Sequence, residues 1–270
     1  LSLYNGASTG NFREYANNAR FSATNHTISL WVHPNITPVA QWAWIARGNS
    51  TTVGEFTCGT PATSAFNLAR SSIDTSVGLQ NIADTLPWTN NKWFHYCQTY
   101  DGTTLTVWVD GRQRATLVAS GTFTQTTTAN VRLWMRTDAT VGTTDAWLED
   151  FGWWNVAFSA AQVFQLAHGA DFTTIDWPHA IILDPLRTVT AGTDLVGGLG
   201  TNTGTLTAQE LAPTLAYDRR TAPIPVSMRG PGRPIPILRP DRRPGLWTPT
   251  PAAPATFNAT RFMPFFQQVR

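Results

Sequence analysis

WFHYCQTYDGTTLTVWVDG, residues Trp93 to Gly111, is the stretch that decides the fold. Trp93 to Tyr100 is dense in aromatic side chains, which favour a pleated, packed surface. Asp101-Gly102 is a turn pair. From Thr104 to Asp110 the chain alternates, with Leu105, Val107 and Val109 on one face and Thr104, Thr106 and Trp108 on the other. Asp110-Gly111 is a second turn pair. Asp-Gly is a strong hairpin signal because both central residues of a type I′ turn need positive φ. The stretch therefore predicts two antiparallel strands closed by tight turns.

The same grammar extends in both directions. Leu1 to Asn5, Phe12 to Tyr15 and Arg20 to Ser22 read as short strands between Asn/Gly-rich turns. Thr27 to His33 alternates, with Ile28, Leu30 and Val32 opposing Ser29, Trp31 and His33. Trp42 to Arg47, Glu55 to Cys58 and Ala65 to Arg70 are further strand candidates, and Thr124 to Asn130 is a Thr-rich loop. Val131 to Arg136 alternates again, with Val131, Leu133 and Met135 opposing Arg132, Trp134 and Arg136. One helix is expected after Ser159, which caps it. Val163, Phe164 and Leu166 give it an apolar side, and Gly169 ends it.

Four of these stretches carry a family resemblance. WFHYCQTYDG followed by LTVWVDG, LSLYNGAS at Leu1 to Ser8, HTISLWVHP at His26 to Pro34 and LEDFGWWNVAFSAAQVFQL at Leu148 to Leu166 resemble, in order, the recurrent motifs of laminin-G-like domains. Those domains belong to the concanavalin A-like lectin/glucanase jelly rolls. The resemblance covers roughly Leu1 to Gly169. It implies an all-β fold, an antiparallel two-sheet jelly-roll sandwich with one short helix. AIILDPLRTVTAGTDLVGGLGTNTGTLTA, from Ala180 to Ala208, resembles the opening of such a domain but stands after the rest of it. A permuted order, in which residues 180–208 supply strands that complete the sandwich, is the expectation. The domain then spans residues 1–212.

The remainder, 213–270, is an extended arm. Residues 214–270 hold eleven prolines, nine arginines and two aspartates, a balance of +7, against −5 for residues 1–213. Proline removes hydrogen-bond donors and fixes φ, so this composition suits neither a helix nor a central strand. In polyproline-like form, at about 3.1 Å per residue, some fifty residues reach beyond about 100 Å. Arg229, Arg233, Arg239, Arg242, Arg243 and Trp247, with the terminal Phe257, Phe262, Phe265 and Phe266, are the residues expected to dock on neighbouring proteins. Regular proline and terminal phenylalanine argue against a nucleic-acid arm.

The chemistry that can be read is that of binding. No E-x-D-x-x-E strand is present, and a glycosidase needs two carboxylates across a sugar ring. Glu149 and Asp150 are adjacent and are expected on opposite faces. His26, His33, His95, His168 and His179 show no metal or triad spacing, so no catalytic residue is assigned and His95 reads as a hydrogen-bonded strand residue. Cys58 and Cys97 are read as buried thiols, with a disulfide as the alternative. No cofactor is implied. Some laminin-G-like domains bind calcium, and that resemblance makes Asp138, Asp145 and Glu149 the candidates to hold it. Trp31, Trp108 and Trp134 lie opposite the aliphatic face of their strands. They either form an aromatic row for sugar rings, flanked by Arg132 and Arg136, or pack as interior.

No apolar run approaches the ~20 residues of a membrane span. Asn25, Asn35, Asn49 and Asn258 head N-x-Ser/Thr sequons to which nothing else attaches. Two functions fit. One is a non-enzymatic structural or decoration protein displayed on a virion or similar surface through its arm, as permuted laminin-G-like domains of bacteriophages resemble. The other is a lectin module of a bacterial surface or secreted protein. The partners are protein neighbours, glycans and further copies of the chain, and the location is a virion or the cell exterior.

Overall fold

The computed structural model describes residues 2–6, 10–21, 23–35, 43–48, 54–60, 68–85, 87–123, 128–136, 144–189 and 200–209. In chain order the strands are β1 (Ser2–Tyr4), β2 (Phe12–Tyr15), β3 (His26–Pro34), β4 (Ala43–Arg47), β5 (Phe56–Gly59), β6 (Arg70–Thr75) and β7 (Gly78–Ala83). Then come β8 (Phe94–Tyr100), β9 (Thr104–Val109), β10 (Arg112–Val118), β11 (Val131–Leu133) and β12 (Ala146–Trp154). The helix α1 (Ala160–Ala167), β13 (Ala180–Asp184), β14 (Thr201–Thr203) and β15 (Thr207–Gln209) follow. Two antiparallel sheets result. The first runs β10-β9-β8-β3-β12-β1-β15, with β13 also on β12, and the second runs β14-β2-β11-β4-β5-β6-β7. The expected arm, with the residues assigned to it, lies outside the described residues.

Turn chemistry closes the central strands as expected. Asp110 and Gly111 both take positive φ, 52° and 73°, between β9 and β10. Asp101 accepts the Thr103 and Thr104 amides at 2.9 and 2.7 Å, and Gly102 turns at φ 97°. Leu105, Val107 and Val109 face the space between the sheets, where they meet Ile28, Leu30, Ile45, Phe56 and Ile73. Trp44 packs edge-on against Trp88, Phe94 and Tyr96, with ring centroids 5.1–5.5 Å apart.

The outer side of the first sheet is covered by α1 and the segment after it. Trp108, Trp154, Phe158, Val163, Leu166, Phe172 and Leu183 form a second apolar cluster there. Ser159 and Gln162 make a reciprocal capping box, and Gly169 (φ 84°) and Ala170 close the C-terminus by donating to Leu166 and Gln165.

The late strands join the sandwich: β13 pairs β12, β14 pairs β2 and β15 pairs β1. Ile181 and Leu186 share a core with Leu105 and Val107. Leu183 does not. It points to the outer cluster with Trp108 and Val163.

Several local expectations are corrected. Ala19–Phe21 is a 3-10 turn, not a strand, because Asn18 accepts the Arg20 amide with its side chain and the Phe21 amide with its carbonyl. The strand expected over Ala65–Arg70 begins at Arg70, and 61–67 lie outside the described residues. Most of the Thr-rich loop, 124–127, also lies outside them. β11 stops at Leu133: Trp134 turns at φ 67° and leaves the alternation. A bulge between Glu149 and Gly152, with Asp150 at φ 50°, brings Glu149 and Asp150 both within reach of Arg187, at 3.8 and 3.3 Å. They are therefore not separated on opposite faces.

Candidate functional site

Of the two readings for Trp31, Trp108 and Trp134, packing as interior holds and no exposed row forms. Trp134 lies between the sheets, fully buried, and its indole N–H donates to the Ala146 carbonyl at 2.9 Å. Trp108 sits under α1 and donates to Thr99 Oγ1 at 2.9 Å. Trp31 is buried edge-on against His95. An indole is large enough that burial outweighs its exposure as a platform, and β-alternation cannot separate a covered outer face from an open one. Arg132 lies over the Phe12 ring, 4.5 Å from its centroid, and pairs with Glu14. Arg136, half-buried, is close enough to Arg70 to lower that guanidinium's pKa further after burial.

The calcium candidates are not assembled by the described residues. Asp145 Oδ1 accepts from the Tyr4 hydroxyl at 3.0 Å and from the Asn35 amide at 2.7 Å. Glu149, four residues on, is about 13 Å away along extended chain and lies beside Arg187. Asp138 is outside the described residues. Among the described residues no three His, Cys, Asp or Glu side chains cluster as metal ligands, and no helix is long and apolar enough to cross a membrane.

Both cysteines are free thiols. Cys58 points into the core and donates to Gln98 Oε1 at 3.1 Å, and burial pushes its pKa up to about 12. Cys97 points to the opposite cluster. His95 Nε2 meets Ser29 Oγ at 2.8 Å, but both side chains are sealed beneath the outer cover, so this pair is structural.

A different place gathers binding chemistry. A cleft of about 190 Å³ opens beside β8 and β9, lined by Asp84, Trp88, Lys92, Trp93, Asp110 and Arg114 among others. The loop from Pro87 to Trp93 supplies the two indoles. Trp88 is fixed by stacking on Phe94 (5.6 Å, 19°) and by its N–H to Asn90 Oδ1 at 3.3 Å. Trp93 leans on His33 at 5.4 Å. Across the cleft Asp84 is held by Arg114, with Nε to Oδ2 at 2.9 Å. Asp110 Oδ1 accepts the His95 amide at 2.9 Å.

The site thus offers half-buried aromatic rings, one ion pair and a nearby lysine, set on the loop before β8, the end of β7 and β10. Such a surface stacks an apolar ring face and meets hydroxyls with donors and acceptors. It is smaller than the ~300–1,000 Å³ of a typical small-ligand pocket, so it seats one ring. The sequence did carry a signal for it: Trp88 and Trp93 flank the polar turn Thr89-Asn90-Asn91-Lys92, and the strand expected from Trp93 begins only at Phe94.

One carboxylate pair was also missed. Asp74 N–H donates to the Glu55 carbonyl at 2.9 Å across β5 and β6. This sets both side chains on the face opposite Phe56 and Ile73. Both are buried, and burial, then Glu55, raises the Asp74 pKa. Neither lines the aromatic cleft.

A family model described as the concanavalin A-like lectin/glucanases superfamily matches residues 8–164. A candidate carbohydrate-binding protein from Bacteroides ovatus is similar in fold, with a TM-score of 0.59 at 16% identity over 78% of this chain. This chain spans 60% of that protein's length. An SAP-like pentraxin from Limulus polyphemus gives a TM-score of 0.43 at 13% identity, covering 59% of this chain and 83% of that one. Domain 4 of a Geobacillus stearothermophilus arabinanase, solved with arabinotriose, gives 0.46 at 14%, covering 54% and 68%. No curated protein matches the chain in sequence.

Proposed function

This chain belongs to the concanavalin A-like lectin/glucanase superfamily, and from that premise we propose that it is a non-catalytic carbohydrate-binding domain whose ligand seat is the Trp88–Trp93 cleft. The observation that carries the reading is the convergence of two indoles, the Asp84–Arg114 pair and Asp110 on one concave surface. The indoles take the C–H face of a pyranose, and the charged groups take its hydroxyls. The description of the Bacteroides ovatus protein as a candidate carbohydrate binder supports the same class.

The expected result is saturable binding of one or more neutral oligosaccharides by calorimetry, weakened about tenfold by Trp93→Ala or Arg114→Gln, a loss of ~1.4 kcal/mol. Unfolding midpoints check that both variants stay folded. The same incubations should release no reducing ends above blank. Turnover that disappears in Glu55→Gln, Asp74→Asn or Glu149→Gln would show an enzyme instead.

The arm's composition favours a second, compatible reading: display of this domain on a virion or cell surface, with residues 213–270 docking on a neighbour. Removing Arg219 to Arg270 should then leave sugar binding intact and abolish incorporation into the parent assembly. Equal incorporation of the truncated chain would end that reading.

A further inference from the structure

We propose that the groove beside Trp177 is a second saccharide site, one that selects sugars bearing a carboxylate. Trp177 is 47% exposed, the most exposed indole among the described residues. Its exposure is built in. The 3-10 turn Trp177–His179 begins after Asp176, a non-glycine residue at φ 51°, and contains Pro178, whose φ is fixed. Asp176 Oδ1 holds His179 Nδ1 at 2.6 Å, and the His179 amide donates to the Asp176 carbonyl at 3.1 Å. The Asn155 amide donates to the His179 carbonyl at 2.9 Å, and the Trp154 indole N–H holds the Ile175 carbonyl at 3.1 Å. An indole presented on a turn tied at four points loses little entropy when a ring stacks on it.

The groove in front of it, about 490 Å³, is lined by Arg20 and Asn155 as well as Trp177 and Pro178. That volume falls within the ~300–1,000 Å³ range of small-ligand sites. Among the described residues the Arg20 guanidinium has no ion-pair or hydrogen-bond partner, and neither does the Asn155 carboxamide. The nearby Asp176 carboxylate is already taken by His179. An aromatic face, an uncommitted guanidinium and an uncommitted amide suit a pyranose with an acidic substituent. The ring stacks on Trp177, the carboxylate takes the planar fork of Arg20, and a hydroxyl takes Asn155. The site shares no residue with the Trp88–Trp93 cleft, and β13 lies four strand spacings from β9, about 19 Å.

The test is an amide and indole NMR titration of the full chain with a glucuronic-acid-terminated disaccharide and with its neutral glucose counterpart. The Trp177 indole signal, assigned by its loss in Trp177→Ala, should shift saturably with the acidic sugar. The neutral one should bind at least about tenfold more weakly there. Arg20→Gln should remove that preference, and Trp177→Ala should abolish the shift of the Asn155 side-chain amide. Both residues are exposed, so both variants should fold. An unmoved Trp177 signal at millimolar acidic sugar, or a preference unchanged in Arg20→Gln, overturns the proposal. The indole signals of Trp88 and Trp93 report the other cleft in the same spectra, so failure of one site is read separately from failure of the other.

Discussion

Replacing Arg13 by methionine should lower the free energy of unfolding by about 3–5 kcal/mol, the range for leaving one member of a buried ion pair alone. Arg13 stands on β2 with no solvent exposure, pointing between the sheets. All three of its guanidinium nitrogens are occupied. Nη1 donates to Asp184 Oδ2 at 2.7 Å, Nε to Asn202 Oδ1 at 2.9 Å and Nη2 to the Thr188 carbonyl at 2.8 Å. Asp184 also accepts the Tyr15 hydroxyl at 2.6 Å and the Leu186 amide at 2.8 Å. One guanidinium therefore ties β2 of the second sheet to β13 of the first and to β14 beside it.

Methionine fills much of the volume but leaves the Asp184 carboxylate buried without a counter-charge. Arg13→Lys should recover only part of the loss, because an ammonium cannot reproduce the fork. Denaturant unfolding of the full chain measures both. A loss below about 1 kcal/mol for Arg13→Met would mean that the late strands are held by their backbone pairing and apolar contacts alone.

That node shows why part of the architecture escapes the sequence. Arg13 and Asp184 are 171 positions apart, and nothing in the residues around either names the other. Local grammar succeeded where local physics decides. Asp110-Gly111 turned with both φ positive, and Ser159 and Gly169 bounded the helix. It failed where tertiary context overrides pattern. Trp134 continues an alternating series, yet its φ of 67° ends the strand and drops the ring into the core. β6 carries Ser71, Ser72 and Asp74 in buried positions, so its polar composition hid a strand covered on both sides. The Trp88–Trp93 cleft escaped for a related reason: the tryptophans that line it sit in a loop, while the strand tryptophans that stand out by alternation are consumed by packing.

Acid should destabilise the fold well before its carboxylates are protonated. His26 opens β3 and is fully buried among Phe56, Tyr100 and Phe123, with ring centroids 5.3–5.8 Å away. Gln98 Oε1 accepts a hydrogen bond from the Cys58 thiol, so its amide N–H faces His26 Nε2 at 2.7 Å. Facing that N–H, Nε2 accepts and the ring is neutral, with Nδ1 left in the core without a hydrogen-bond partner among the described residues. Protonating it would set donor against donor in a dry core. Burial accordingly lowers its pKa from 6.5 to about 3.

The unfolded chain therefore takes up a proton near pH 6.5 that the folded chain refuses. Stability is complete above that value and falls as pH drops toward about 3, by ~1.4 kcal/mol per unit. His33, also buried and its pKa also lowered by that burial, acts in the same direction. Asp74 is raised by burial and by Glu55, so it acts oppositely at lower pH. The window from pH 6.5 to 5 isolates the histidines. Unfolding midpoints there should drop with decreasing pH in the native chain, and His26→Gln should flatten most of the slope even though it lowers stability at pH 8. An equal slope in native chain and variant would show that His26 accepts its proton in the folded state, and that the Gln98 amide can turn to receive it.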